Sequence, residues 1–354
     1  MRLLIFNQKT DLTDSGLGVA IDWITAFSRC VEKVYVITHE AGVVPTLPSV
    51  KILSIGKEKG YGRIQRFLEF YRLLLSTLSR NQIDGCFVHM VPIFAVLASP
   101  ILKWKHIPMV QWYAHKETPW SLRVAHRLVN RIVTASKESF RLPSQKVVVT
   151  GHGIDTDRFI PPKQLNKLNK PFTILSVGRI SPIKRYEILL KAVALVHKAG
   201  KECKVLLVGG TRTKRDEEYL QHLQMEVEQL KLGSYIQFVG PIPRHEVLYW
   251  YWKADIFVNL SDTDSVDKAV LEAMSCGLPS ITSNISFQFM PRDVIQELLV
   301  PKGDVSALAK AIIRVSEWDP DYREQVCRRL RQIVIDQHDL NHFVHKVIQL
   351  FNCK

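Results

Sequence analysis

The sequence predicts an α/β protein of two doubly wound domains, each a parallel sheet with helices on both faces. Three observations predict it. A chain of 354 residues is too long for one simple core and fits two domains of ordinary size. Short runs rich in β-branched and aromatic residues alternate with segments of helical period through both halves, the pattern of a parallel sheet wound on both sides. Between the halves, the stretch from Pro161 and Pro162 to Pro171 is polar and bounded by prolines, a linker by composition.

Composition narrows the class. Hydrophobic residues at 46% and charged residues at 23% are globular values. The net charge of +14 is uneven: through Asn166 there are 22 Lys or Arg against 12 Asp or Glu, so most of the excess lies in the first half. Such a surface favours an anionic partner, and no nucleic-acid motif accompanies it. Cys30, Cys86, Cys203, Cys276, Cys327 and Cys353 form no Cys-x-x-Cys pair and read as buried free thiols of a reducing compartment. The apolar run after Met1 is too short for a signal peptide, and Val91 to Leu102, interrupted by Pro92 and Pro100, is too short for a membrane span. A cytoplasmic protein is expected.

In the first half, Leu3 to Phe6 reads as a strand, and Asp14-Ser-Gly-Leu-Gly leads into a helix carrying Val19, Trp23 and Phe27. Gly16 and Gly18 let the backbone approach a phosphate there; a plain strand-to-helix connection is the alternative. Val34 to Thr38, Val50 to Leu53 and Cys86 to His89 continue the strands. Gly62 to Arg80 is a helix whose core stripe is expected at Ile64, Phe67, Leu68, Tyr71, Leu74, Leu75 and Leu78, bordered by Arg63, Arg66, Arg72 and Arg80 and preceded by Lys57 and Lys59. Its basic flank, with Phe70 and Leu73 as further apolar residues, fits either a surface helix docked on its own sheet or a contact with anionic phospholipid. Met109 to Tyr113 is a strand that delivers His115 just past its end. Arg123, His126, Arg127 and Arg131 read as one basic helix.

In the second half, the strand Phe172 to Val177 ends in Gly178-Arg179-Ile-Ser-Pro-Ile-Lys184-Arg185, and a helix follows. Cations in a first helical turn oppose the dipole, and an anion bound beside Lys184 and Arg185 would relieve this. Cys203 to Val208 is a strand ending in Gly209 and Gly210, and Ile236 to Val239 runs into Gly240-Pro-Ile242-Pro. Ala254 to Leu260 is a further strand. A polar loop then leads to a short helix, with Ser265 or Asp264 as expected N-cap, Asp267 in the first turn, Gly277 at the C′ position and Pro279 preventing continuation. Two carboxylates, Asp264 and Glu272, bracket this junction. Helix cap and solvated helix residue are their plain readings. Asp262-Thr263-Asp264 and Asp155-Thr156-Asp157 both spell Asp-x-Asp, and neither supplies enough oxygen ligands for a divalent metal.

The spacing from Asp264 to Glu272, followed by Glu-Ala-Met-Ser-Cys-Gly-Leu-Pro, resembles the acidic-x7-Glu signature of glycosyltransferase family 4, the nucleotide-sugar-dependent, mostly retaining enzymes of GT-B fold. The front departs from the family's Glu-Gly-Phe-Gly, with Asp264, Ser265, Val266 and Asp267 in those places. The resemblance implies that Glu272 holds the donor ribose, that the loop amides of Ser265, Val266, Asp267 and Lys268 meet the phosphates, and that Arg179 and Lys184 clamp the diphosphate. It also implies that Gly209, Gly210 and Ile242 line the nucleotide and that Gly16 and Gly18 form the family's glycine loop. His115 would face the transferred sugar and Asp264 would serve catalysis. Gly151 to Phe159 is similar to the family's segment at the domain crossing.

The resulting expectation is a GT-B enzyme whose two domains face across a cleft. Residues 1–162 form the acceptor side, 163–335 bind the nucleotide sugar, and the helix of 336–354 returns to the first domain. Its partners would be a nucleotide diphosphate sugar, a glycan or lipid-linked acceptor, and an anionic membrane surface met through Lys57–Arg80. No metal or other cofactor is expected. A nucleotide-sugar epimerase of the same fold and a catalytically silent docking subunit are the alternatives.

Overall fold

The computed structural model describes residues 1–14, 16–115, 117–162, 171–263 and 265–352, and the chain divides into two compact units, 1–153 with 338–354, and 154–337. Asp264 therefore lies outside the described residues.

The first unit runs β1 (Arg2–Thr10), α1 (Val19–Cys30), β2 (Lys33–Ala41), β3 (Val50–Ser54), α2 (Arg63–Arg80), β4 (Gly85–His89), α3 (Pro92–Trp104), β5 (Met109–Trp112), α4 (Trp120–Leu128), β6 (Arg131–Thr134) and β7 (Val147–Val149). Among the described residues its sheet is parallel, in the order β3-β2-β1-β4-β5-β6-β7. Leu3 to Phe6 are buried without alternation because β1 has a neighbour on each edge and helices on both faces. One apolar layer gathers Phe6, Phe70, Leu74, Phe94 and Leu122, and the other gathers Trp23, Phe27, Phe87 and Phe343.

Three readings change here. The core stripe of α2 is Phe70, Leu73, Leu74, Thr77 and Leu78, whereas Ile64, Phe67, Leu68 and Leu75 are exposed. Both sets have helical spacing, and the sheet accepts only one. Arg131 opens β6 rather than extending α4, and Cys30 is exposed while Cys86, Cys203, Cys276 and Cys327 are buried.

The second unit runs β8 (Phe172–Val177), α5 (Tyr186–Lys198), β9 (Cys203–Val208), α6 (Lys214–Gln229), β10 (Ile236–Gly240), α7 (Val247–Trp252), β11 (Ile256–Asn259), α8 (Lys268–Ser275), β12 (Ser280–Thr282), α9 (Arg292–Leu298), α10 (Val305–Ser316) and α11 (Pro320–His338). Its strands, all parallel, are ordered β10-β9-β8-β11-β12. The division falls at 153/154, ahead of the proline-bounded stretch, because Ile154 and Phe159 belong to this core. Arg331 of α11 holds that segment by donating to the carbonyls of Phe159 (2.7 Å) and Thr156 (3.1 Å). The last helix, α12 (Leu340–Asn352), packs in the first unit: Phe343 lies 4.4 Å from the Trp23 ring, and Trp23 Nε1 donates to the Gly153 carbonyl at 3.0 Å. Among the described residues no helix is long and apolar enough to cross a membrane.

Candidate functional site

In the second unit the chain moves from β8 to β9 in one direction and reaches β11 on the other side of β8. In open parallel sheets ligands bind at such a reversal, which here marks the carboxyl ends of β8 and β11. The loops that follow these two strands are tied together. The Asp262 amide donates to the Ile183 carbonyl at 2.9 Å, Arg185 Nε donates to Asp262 at 2.8 Å, and Lys184 Nζ lies 3.3 Å from Asp267.

Lys184 closes a 3-10 turn, Pro182–Lys184, and Arg185 caps α5 in the left-handed conformation (φ 53°). The expectation that Lys184 and Arg185 stand in a helical first turn needing an anion is corrected. α5 starts at Tyr186 with Glu187 in its first turn, and both cations already have carboxylates. Lys302 adds a second cation to Asp262 at 2.8 Å. Burial alone would push the Asp262 carboxyl up, but Lys302 and Arg185 outweigh it and hold it below the ordinary range. Arg179 is loosely held: it is half exposed, and its Nε is 3.9 Å from Asp216, whose carboxylate is engaged in capping α6.

Glycine at 209 is a steric requirement. A Cβ there would sit 1.9 Å from the Gly178 carbonyl oxygen, and its φ is +145°. The Ile180 amide completes the approach by donating to the Gly210 carbonyl at 3.0 Å. Ile242, after β10, packs partly buried on the core of this unit.

The β11–α8 loop differs in detail from the reading above. Asp267, not Ser265 or Asp264, occupies the N-cap of α8, so the first turn begins with Lys268 and carries no acid. Asn284 Nδ2 donates to the Ser265 carbonyl at 2.7 Å, and Val266 is buried in the core, so the backbone between them is pinned at both ends. Beside it lies a cavity of about 460 Å³ whose walls include Ser261, Asp262, Asn284 and Lys302. Gly277, with φ +70°, ends α8 as expected.

Glu272 is 2% exposed. Arg244 Nη2 lies 2.7 Å from its Oε1, and the Tyr251 hydroxyl donates to its Oε2 at 3.0 Å. Arg244 is itself placed by the Phe159 ring, 5.1 Å away, and by Arg158, which donates to its carbonyl at 2.7 Å. Sequence reasoning missed Arg244; its only signal is a cation straight after Gly240-Pro-Ile-Pro, at the carboxyl end of β10.

In the first unit, Gly16, Gly18 and His115 also lie at carboxyl ends of strands. The amides of Gly16 and Leu17 donate to the Asp14 carboxylate at 2.8 and 2.7 Å, so an internal anion already occupies the seat foreseen for a phosphate. Lys9 bridges Asp14, Asp11 and Glu40 at 3.1 to 3.2 Å, and Gly18 is the N-cap of α1. His115 is exposed, and its Nδ1 accepts from the Glu117 amide at 3.1 Å, which puts the proton of the neutral ring on Nε2.

Residues 171–317 match the family model described as glycosyl transferases group 1. The amylovoran biosynthesis glycosyltransferase AmsK of Erwinia amylovora is 27% identical over 186 residues, covering 51% of this chain and 44% of that protein. The chain spans about half the length of the curated relatives it matches. Among solved structures, HepE of Anabaena in complex with UDP superposes with a TM-score of 0.77 at 16% identity, covering 100% of both chains. Sucrose-phosphate synthase of Thermosynechococcus elongatus gives 0.79 at 18% identity, covering 99% of this chain and 98% of that one. These likenesses show the fold: the chain has the GT-B fold.

Proposed function

From a second unit that matches the group 1 glycosyl transferases and a chain of GT-B fold, we propose a glycosyltransferase that moves a sugar from a nucleotide diphosphate sugar to an acceptor hydroxyl. The observation that carries this reading is the coupling of the β8 and β11 loops at the switch point, with Lys184 tied to Asp267 at the pinned backbone that starts α8.

In this reading the donor diphosphate takes the place of Asp267 against Lys184 and draws in Arg179. Amides from Ser265 to Lys268 complete the seat at the positive end of α8. Both cations then stabilise the charge that grows on the leaving diphosphate, while binding supplies orientation. Glu272 keeps one donor on each oxygen and has further lone pairs for a ribose hydroxyl. The Gly209 and Gly210 turn and Ile242 border the nucleoside. On the first unit, His115 offers Nε2–H to a sugar hydroxyl. The reading extends to family 4, to transfer with retention and without a metal, and to a glycan or lipid-linked acceptor at the cytoplasmic face of a membrane. The likeness to AmsK supports a polysaccharide acceptor and the likeness to HepE supports a uridine donor.

A panel of labelled sugar nucleotides tests it. Slow release of free nucleoside diphosphate, accelerated by an acceptor, is expected. Release of an altered sugar nucleotide would instead mark an epimerase, and no binding of any donor would mark a silent subunit.

A further inference from the structure

We propose that the α2 face of the first unit docks on an anionic phospholipid bilayer, with Arg66 and His39 seating a lipid phosphate and Ile64, Phe67 and Leu68 entering the acyl boundary. Its purpose, bringing the enzyme to a lipid-carried acceptor, rests on the transferase reading; its geometry rests on the first unit alone.

The phosphate seat is argued from an incomplete cation. Arg66 Nη1 lies 2.6 Å from His39 Nε2, so its side-chain partner is a ring nitrogen. Its Nε is buried without a hydrogen-bond partner, and among the described residues no carboxylate lies within ion-pair distance of it. Burial, reinforced by Arg66 and Lys57, holds His39 below its ordinary range, which keeps the ring neutral and accepting. A buried guanidinium N–H left unpaired is costly, and an oxyanion offers the charged acceptor it lacks.

The start of α2 carries no negative charge either: the Gly62 amide is capped by the neutral Gln65 side chain, which accepts from it at 2.9 Å. Arg63 and Arg66 fall within its first four residues, its first turn holds no acid, and its N-cap, Gly62, has no side-chain oxygen. Two cations at the positive end of a helix are unfavourable until a negative charge is brought to them.

The exposed stripe names the source of that phosphate. Ile64 is 77% exposed, Phe67 47% and Leu68 61%, on the helix that carries the seat. Lys57, Lys59 and Arg63 precede them in the chain and Arg72 follows; Lys57 is paired with Glu40 and Arg72 with Glu69, which leaves Lys59 and Arg63 as the exposed cations of this stretch outside those pairs. Trp120, 66% exposed, opens α4 at the same strand-end edge of this unit. Apolar side chains interleaved with cations on a solvent-facing helix fit a headgroup layer.

The test is co-sedimentation of the full chain with vesicles of phosphatidylglycerol and phosphatidylcholine at low salt, beside pure phosphatidylcholine vesicles, with nucleoside diphosphate binding measured on the same preparations. Binding to the anionic vesicles alone is expected. Arg66→Gln with Arg63→Gln should weaken it roughly tenfold, as should Ile64→Ser with Phe67→Ser and Leu68→Ser. Nucleoside diphosphate affinity should stay unchanged in both variants. Equal binding to both vesicle types, or binding that neither variant moves, would overturn the docking. So would a wild type that binds inorganic phosphate through Arg66 yet ignores vesicles, which would make the seat one for a free anion. Loss of nucleotide binding with vesicle binding intact would overturn the transferase reading and leave the docking standing.

Discussion

Arg244 and Glu272 form an ion pair of 2.7 Å in which the carboxylate side chain is 3% exposed and the guanidinium side chain 15%. They come from different elements, one from the turn after β10 and the other from α8. With Tyr251 on the second oxygen, the pair fixes where the Glu272 carboxylate points. Removing one member strands a buried charge, which costs more than the pair itself contributes. Arg244→Ala should therefore destabilise the fold by about 3 kcal/mol in urea titration. If Glu272 meets a ribose, Glu272→Gln should keep much of the fold and weaken nucleoside diphosphate binding about tenfold by calorimetry. Affinity unchanged in Glu272→Gln would remove the ribose contact.

Lys184 and Asp267 make opposite predictions. Lys184→Ala removes a cation assigned to the leaving group, and turnover should fall by about 10²-fold or more. Asp267→Asn removes the carboxylate that holds Lys184 in the absence of donor and that would repel a diphosphate. Nucleoside diphosphate should bind that variant about fivefold more tightly, on the order of 1 kcal/mol. Weaker binding would show that Asp267 supports the seat and does not compete for it.

Gly209→Ala tests the close approach of the loops after β8 and β9. A methyl group at 1.9 Å from the Gly178 carbonyl oxygen meets backbone that cannot yield as a side chain can, and φ +145° is strained for alanine. A loss of about 3 kcal/mol is expected in urea titration, with weaker nucleotide binding in the protein that remains folded. The nearest atoms to a methyl group in Gly210→Ala are those of the Pro241 ring, at 3.2 to 3.3 Å, and that substitution should cost less.

Much of the layout is legible in the sequence because strand and helix periods are local properties. The runs at Leu3, Val34, Phe172, Cys203 and Ile256 are too apolar and too short to be other than buried strands, and Gly277 with Pro279 marks where α8 must end. The orientation of α2 is not legible in this way. Residues 64, 67, 68 and 75 share helical spacing with 70, 73, 74 and 78, and only the sheet decides which stripe is covered. The site divides likewise. Gly209 and Lys184 stand in loops that a strand-helix reading already places at the ligand edge. The partners Asp267, Arg244 and Asp14 depend on side chains meeting across separate loops or on a turn closing on itself, and nothing in spacing announces them.

His338 sets an acid limit on the first unit. Its Nδ1 accepts from the His152 amide at 3.2 Å, where the last helix rejoins this unit, and burial, with Lys346 adding to it, pushes its pKa down to about 4. The folded state thus prefers the neutral ring, while the unfolded chain titrates near 6.5. Below about pH 6.5 the unfolded state binds the extra proton, so this contribution is fully present above that pH and is lost progressively down to about pH 4. Between pH 7.5 and 5 the loss from this one group is about 2 kcal/mol. Urea titrations of the wild type and of His338→Asn at the two pH values check it. The variant should be less stable at pH 7.5, where it forgoes the ring's packing, and should show a smaller drop on acidification. An equal drop in both proteins would place the acid sensitivity elsewhere.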